Sequence, residues 1–396
     1  MSKKKILQIN ECLLGSTGNI ARQIGGMAIE SGWESWIAYS AAEPACSCNS
    51  QLIKVGSKSN RYIHYFSQRL FDNEGLNSKK ETKWLIEQIK DIEPEVVHLH
   101  NLHDHWLNYQ ILFEYLNSTN IKVVWTFHDC WSFTGHCYHF ITKSCNKWQT
   151  ACFKCPFHGS SPRYVFDRSE KNFKLKKELF SKNKNLTVVA VSDWMASLVR
   201  SSFLKDKRIE VIHNGIDLNV FKPRRKRADD GTYRILAVSN VWNKNKGYYD
   251  ILKLREALPM DFQISIVGLN ERQVEGLPSG IKGIKKTRNV DELVELYSLS
   301  DVLINPTYAD TFPTVNLEAL ACGTPVITYE TGGSPESLDN KTGFVVEQGN
   351  VQKMAEAIID LRKNPLSSAD CRNRAELLFN KTKRFYDYIA LYEQLL

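Results

Sequence analysis

Residues 305–327 read Asn305-Pro306-Thr307-Tyr308-Ala309-Asp310-Thr311-Phe312-Pro313-Thr314-Val315-Asn316-Leu317-Glu318-Ala319-Leu320-Ala321-Cys322-Gly323-Thr324-Pro325-Val326-Ile327. The apolar run Asp301 to Asn305 predicts a strand, and the loop after it carries Asp310. A helix opens near Thr314, Gly323 caps it, and Pro325 starts the next strand. The first turn of a helix offers backbone N–H groups without intrahelical partners and the positive end of the helix dipole, which together suit a pyrophosphate. That places the amides of Thr314, Val315 and Asn316 on the phosphates. Glu318, about one turn further on, is positioned to accept from ribose hydroxyls. Beyond the next strand, Thr331-Gly332-Gly333-Ser334-Pro335-Glu336 supplies a second glycine-bearing loop at a strand's carboxyl end.

The same alternation extends outward in both directions. Strands are expected at Tyr233 to Ser239, Phe262 to Val267, Pro325 to Tyr329 and Gly343 to Val346, with helices at Asp291 to Leu299, Thr314 to Ala321 and Val351 to Leu361. Toward the amino end, strands are expected at Lys5 to Asn10, Trp36 to Ser40, Glu95 to His100, Lys122 to His128, Leu186 to Ser192 and Glu210 to His213. A helix is expected at Asn19 to Glu30, where Ile20, Ile24, Met27 and Ala28 share a face. Strand, helix, strand at this spacing predicts parallel sheets with right-handed crossovers. The pattern pauses at Phe221 to Gly231, which holds Pro223, a basic run and Asp229-Asp230-Gly231. The expected organisation is therefore α/β with two doubly wound, Rossmann-like domains. Residues 1–220 form the first, 221–232 the linker, 233–368 the second, and 369–396 a helical segment returning to the first. Ligands are expected outside the carboxyl ends of the strands.

The chain has 396 residues, 42% hydrophobic and 24% charged, as for a soluble globular protein. No run approaches the roughly 20 apolar residues that span a bilayer. Gln8 and Asn10 interrupt the short apolar stretch after Lys3-Lys4-Lys5, which argues for a buried first strand over a secretory signal and predicts a cytoplasmic chain. The net charge of +8 centres on Lys222-Pro223-Arg224-Arg225-Lys226-Arg227. Three readings stay open for that run: a solvated linker, contact with an anionic membrane face, and nucleic-acid binding. The last is disfavoured, because no aromatic residue is interleaved.

The segment from Asp310 to Glu336 resembles the signature of retaining glycosyltransferases of family four, also called group one. In that family two acidic residues are separated by seven others, followed by a small-residue helix, Gly-x-Pro-Val-Ile, and a Gly-Gly loop ending in Glu. Val211-Ile212-His213-Asn214-Gly215-Ile216-Asp217 resembles the family's crossing into its second domain, and Asp291 to Pro306 its helix before the signature. The resemblance implies a GT-B fold, a nucleoside diphosphate-sugar donor of unspecified base, and transfer with retention to a saccharide or lipid-linked acceptor in cell-surface polysaccharide assembly. It implies donor contacts from Gly332, Gly333 and Lys246, with Lys244 standing in for the family's arginine. Asp310 and His128 face the transferred sugar. No catalytic metal is expected, since cations and the helix end carry the diphosphate charge. Two departures stand out: Asp310 replaces the usual Glu, and Thr311-Phe312-Pro313 replaces Gly-Phe-Gly. A lipid-linked acceptor would place the protein peripherally at the inner membrane face.

In the first half, Gly15-Ser16-Thr17-Gly18 follows the first strand and is expected as a loop presenting amides to phosphate or acceptor. His128 and His100 close two strands; His128 resembles the family's cleft histidine, and His100 is read as a sugar contact or as its support. Five of ten cysteines crowd between Cys130 and Cys155. Cys137, Cys145, Cys152 and Cys155 read C-x7-C-x6-C-x2-C, a ligand set for structural zinc, with unliganded thiols and an iron–sulfur cluster as alternatives. The insertion from Trp131 to Pro156 resembles one in polysaccharide-assembly members such as colanic-acid-type enzymes. Two rival functions share these features: a sugar-nucleotide epimerase on the same fold, and a zinc-stapled nucleic-acid-binding protein.

Overall fold

The computed structural model describes residues 3–41, 48–156, 164–224 and 230–396. The chain divides into two units, Met1–Ile212 with Phe385–Leu396, and His213–Arg384. Of the predicted linker, residues 225–229 lie outside the described residues, and so does half of the run from Lys222 to Arg227.

The first unit is built on seven parallel strands: β1 (Lys5–Ile9), β2 (Glu34–Tyr39), β3 (Gln51–Lys54), β4 (Val96–Leu99), β5 (Lys122–Phe127), β6 (Leu186–Ala190) and β7 (Arg208–Val211). Their order is β3-β2-β1-β4-β5-β6-β7. Ile6, Val96, Val124 and Val189 form one apolar layer, into which Phe385, Tyr388, Ile389, Leu391 and Tyr392 of the last helix pack. Leu7, Leu99, Trp125 and Phe127 belong to the larger opposite layer with Tyr109, Phe113 and Phe180. Central strands covered on both faces are mainly apolar, with Gln8, His98, Thr126 and Thr187 as buried exceptions, which is why they were legible as short runs.

The second unit has six parallel strands: β8 (Tyr233–Val238), β9 (Phe262–Val267), β10 (Ile281–Ile284), β11 (Val302–Asn305), β12 (Val326–Tyr329) and β13 (Gly343–Val346). The order is β10-β9-β8-β11-β12-β13. Both sheets reverse direction of winding once, between β1 and β4 and between β8 and β11. Such switch points are where loops diverge and leave room for a ligand.

Two strands fall outside the sequence expectation, β3 and β10. Both are edge strands, and β3 exposes Gln51, Leu52 and Lys54, so its pattern lacks an apolar run. A further correction concerns Gly15, Ser16, Thr17 and Gly18. These residues do not form a loop; they are the first turn of a helix spanning Gly15–Glu30. A Cβ on Gly18 would lie 2.4 Å from the Leu13 carbonyl carbon, so glycine lets the helix begin directly against the strand's end. The carboxyl-terminal segment is two helices, Ser368–Leu378 and Lys381–Leu395.

Candidate active site

In the second unit, three loops leave the carboxyl ends of β8, β11 and β12. The first contains the single turn Lys244–Lys246, capped by the Asn243 side chain, which accepts from the Lys246 amide at 3.2 Å. The second is tied to it where the Tyr308 amide donates to the Asn245 carbonyl at 2.8 Å. Asp250 anchors this pair, accepting from the hydroxyls of Tyr308 (2.6 Å) and Tyr329 (3.0 Å). The third loop meets the second at Gly332. That residue has φ of 54°, and a Cβ there would sit 1.8 Å from the Asp310 carbonyl oxygen. Gly332 is thus a packing requirement of the Asp310 loop, whatever else it contacts. Gln348 completes the stitching by donating to the Thr331 hydroxyl at 2.6 Å.

Four of the expected side chains stand on these loops and the helix behind them. Lys246 Nζ lies 2.7 Å from Asp310 Oδ2, so the two flank the switch point as an ion pair. Lys244 is exposed on the same turn. Glu318 is half-buried on the helix Thr314–Ala321, whose boundaries match the sequence expectation. Its Oε2 accepts from the Tyr297 hydroxyl at 2.7 Å. Burial pushes the Glu318 carboxyl above its usual range, and the Tyr297 hydrogen bond partly offsets this.

The expectation for the Asn316 amide needs correction. That N–H donates to the Pro313 carbonyl at 3.2 Å. The Asn316 side chain is fully buried, accepting from Asn305 Nδ2 (2.9 Å) and donating to Ser337 Oγ (3.0 Å). Asn316 therefore clamps β11, the helix and the glycine loop together from within. Thr314 and Val315 remain in the first turn, where helical amides have no intrahelical carbonyl. Gly333 follows Gly332 in the loop, and Glu336 ends it with Oε2 3.2 Å from His213 Nε2. His213 in turn stacks on Phe312, ring centroids 4.8 Å apart.

In the first unit, His100 and His128 end β4 and β5 beside the other switch point. A hydrogen-bonded chain fixes their tautomers. The Gln8 side-chain amide donates to the Ala21 carbonyl at 2.8 Å, so its oxygen accepts from His100 Nε2 at 3.1 Å. His100 Nδ1 then carries the lone pair and accepts from His128 Nε2, also 3.1 Å away. His128 accordingly bears its proton on Nε2 and its lone pair on Nδ1. Burial lowers its pKa to about 4; Asp129 opposes that shift and His103 adds to it. It is therefore neutral at neutral pH. His100, fully enclosed, supports His128 from behind.

Behind His128 lies a second set of charges. His103 Nε2 is 2.8 Å from Asp129 Oδ2, and its Nδ1 is 2.8 Å from Asp104 Oδ2. Burial alone would lower the His103 pKa, but these two carboxylates hold it well above the ordinary value. Sequence reading missed Tyr297, Gln8 and this pair. Tyr297 offered one signal, a lone polar atom on the otherwise apolar buried face of its helix.

The insertion after β5 runs through three single 3-10 turns, Trp131–Phe133, Ile141–Lys143 and Lys147–Gln149. Cys137, Cys145, Cys152 and Cys155 line one small cavity there, and no disulfide joins the described cysteines. Another cavity, of about 490 Å³, lies among Tyr233, Asp301 and Pro325 at the amino ends of the second sheet's strands, the edge away from the loops above.

Comparison with known proteins bears on the fold. Residues 54–220 match the family model described as Glycosyltransferase Family 4, and residues 232–364 that described as Glycosyl transferases group 1. WcaC of Escherichia coli (strain K12), named for colanic acid biosynthesis and glycosyl transfer, is 24% identical over 98% of this chain and 100% of its own. Among solved structures, a sucrose-phosphate synthase from Thermosynechococcus elongatus superposes with a TM-score of 0.73 at 18% identity, covering 99% of each chain. HepE of Anabaena, in complex with UDP-glucose, superposes with a TM-score of 0.66 at 14% identity, covering 98% of this chain and 99% of its own. These likenesses establish two Rossmann-like units of the GT-B type.

Proposed function

This chain belongs to the group one glycosyltransferases of family four, and we propose that it transfers a sugar from a nucleoside diphosphate donor to a saccharide acceptor in cell-surface polysaccharide synthesis. One observation carries the donor reading. Lys246, Asp310 and Glu318 stand on elements locked together at the switch point of the second sheet. In this reading Glu318 accepts from the ribose hydroxyls, with Tyr297 holding its carboxylate in place. The Thr314 and Val315 amides and Lys246 take the diphosphate. The Lys246–Asp310 pair opens as the donor enters, exchanging carboxylate for phosphate on the lysine. Asp310 is then left facing the sugar.

The chemistry follows from where charge develops. As the glycosidic C–O bond breaks, negative charge moves onto the leaving diphosphate, where a fixed cation and helix amides are worth most. The sugar becomes oxocarbenium-like, and the acceptor hydroxyl attacks the face the diphosphate leaves, retaining configuration. The acceptor proton passes to the departing phosphate oxygen. Neutral His128 contributes a hydrogen bond to the transferred sugar in this scheme, with its tautomer set by His100 and Gln8.

A lipid-linked acceptor and contact with a membrane face are supported by the helix Lys58–Phe71. Tyr62, Ile63, Phe66 and Leu70 lie exposed along one face, continued by exposed Val165 and Phe166. Lys58 and Arg69 flank them. No helix among the described residues is long and apolar enough to cross a membrane.

The experiment is a thermal-shift panel of UDP-, GDP- and ADP-sugars against the wild type and Glu318→Ala. One nucleotide class is expected to raise the wild-type melting temperature, and the variant is expected to lose that response. A variant that responds like the wild type would remove Glu318 from the donor site.

A further inference from the structure

We propose that Cys137, Cys145, Cys152 and Cys155 hold one structural zinc ion, and that His136 links this centre to the buried Asp72 carboxylate. The four sulfurs come from three separate turns of a segment with almost no regular secondary structure, yet all four line one cavity. That cavity has a volume of about 10 Å³, room for a single particle the size of a water molecule or smaller. Its remaining walls are largely apolar, including Phe140, Trp148 and Phe153. Thr134, Lys147 and Ser169 complete its lining. Four sulfurs around one small space suit a tetrahedral, thiolate-bound ion.

Two further contacts match what surrounds a thiolate centre. The Gly135 amide donates to Cys152 Sγ at 3.3 Å. His136 uses both ring nitrogens: Nδ1 lies 2.9 Å from Asp72 Oδ2 and Nε2 lies 3.0 Å from Cys155 Sγ. One nitrogen of His136 and the sulfurs of Cys137 and Cys155 lie within 4.8 Å of one another. With both its nitrogens engaged, the histidine serves in this proposal as an N–H donor to the Cys155 sulfur, and the four cysteines are the ligand set. Asp72 is fully buried and also accepts from the Arg168 amide at 2.8 Å. The Asp72 carboxylate fixes the imidazole, and the imidazole N–H in turn holds the Cys155 sulfur, a hydrogen bond from outside the ligand set that orients a ligand. Lys154, within the Cys152–Cys155 turn, adopts φ of 43°, a left-handed kink that folds the turn back on itself.

The balance of the binding step is simple. Four S–H bonds give up their protons to solvent as four Zn–S bonds form, leaving a site of charge −2. The His136 and Gly135 N–H groups partly offset that charge, and no redox change occurs. The ion replaces the core that the segment between Trp131 and Pro156 cannot build from periodic apolar residues. The segment departs directly from His128-Asp129 and is tied back where the Cys130 amide donates to the Tyr138 carbonyl at 2.8 Å.

The test is elemental analysis of the full-length protein, purified without chelator, together with cobalt substitution. About one zinc per chain is expected, and cobalt exchanged into the site should give the intense visible bands of tetrahedral thiolate coordination. Cys145→Ser should lower metal affinity at least tenfold. His136→Gln should keep the cobalt spectrum tetrahedral and all-sulfur while weakening binding 10- to 100-fold. Should Cys145→Ser fail to fold, the wild type still decides the matter: thiol titration should show four cysteines becoming reactive only after the metal is removed. Metal-free protein with four reactive thiols, a disulfide among these cysteines, or stoichiometric iron with inorganic sulfide would each overturn the proposal.

Discussion

At the scale of single residues, the loops of the proposed donor site leave little room for variation. Gly332 combines a left-handed φ with a carbonyl oxygen where its Cβ would be. Gly332→Ala should therefore displace the Asp310 loop and abolish the nucleotide-induced thermal shift while far-UV circular dichroism stays native; an undiminished shift would contradict the packing described. Tyr297→Phe is a milder probe, because it removes one hydrogen bond to a carboxylate and nothing else. It should weaken nucleotide binding roughly tenfold, about 1.4 kcal/mol, measured by calorimetric titration. The imidazoles make a pH prediction. His128 is lowered to about 4 in the folded state, and His98 and His100 are lowered too, burial being the main cause. The unfolded chain takes up these protons near pH 6.5 while the folded chain resists until about pH 4. Stability from His128 is thus complete above about pH 6.5 and is lost as pH falls toward 4, at up to about 1.4 kcal/mol per pH unit. His103, held high, works the opposite way, losing its contribution as pH rises through its folded value. Melting temperature between pH 7.5 and 4.5 should accordingly fall more steeply for wild type than for His128→Gln, and parallel curves would refute the assignment.

At the scale of elements, legibility tracked burial. β4, β5 and β6 are mainly apolar because both faces are covered, and the helix Thr314–Ala321 was bounded by Pro313 and Gly323. The edge strand β3 was hidden because exposure of three of its four residues leaves no pattern to read. The Gly15–Gly18 turn was misread for a related reason. Glycine after a strand signals both a phosphate loop and a helix starting in close contact with the chain before it, and only the approach to Leu13 distinguishes them. Candidate site residues were legible where a motif named them, as with Asp310 on its loop and Glu318 on the helix behind it. Their supports were not, because Tyr297 and Gln8 act across 21 and 92 positions of sequence. The helix Lys58–Phe71 carries the element-scale prediction. Replacing Tyr62, Ile63 and Phe66 by serine should reduce co-sedimentation with vesicles containing anionic lipid several-fold and leave the nucleotide-induced thermal shift intact. Equal sedimentation of variant and wild type would remove this face from membrane contact.

At the scale of the whole molecule, the two units have separate cores and separate ligands to test them with. The first is centred on Trp125, Phe113 and Phe180, the second on Ile235, Ile264, Ile304 and Ile327. Nucleotide contacts in the proposed site all come from His213–Arg384, whereas the cysteine centre belongs entirely to the other unit. Binding to the native form of a unit stabilises that unit by mass action, and at a ligand concentration of 100 times Kd the gain is about 2.7 kcal/mol. Scanning calorimetry should therefore separate the two. Adding the preferred nucleoside diphosphate should raise one transition, and stripping the metal should lower the other. If nucleotide and chelator move a single common transition, the units unfold as one cooperative block. The second unit's stability would then depend on the metal centre of the first. Assigning the transitions requires one further step, since Glu318→Ala should cancel the nucleotide effect while leaving the chelator effect unchanged. A nucleotide effect that survives Glu318→Ala but disappears on metal removal would place the nucleotide in the first unit and reverse the division of labour between the sheets.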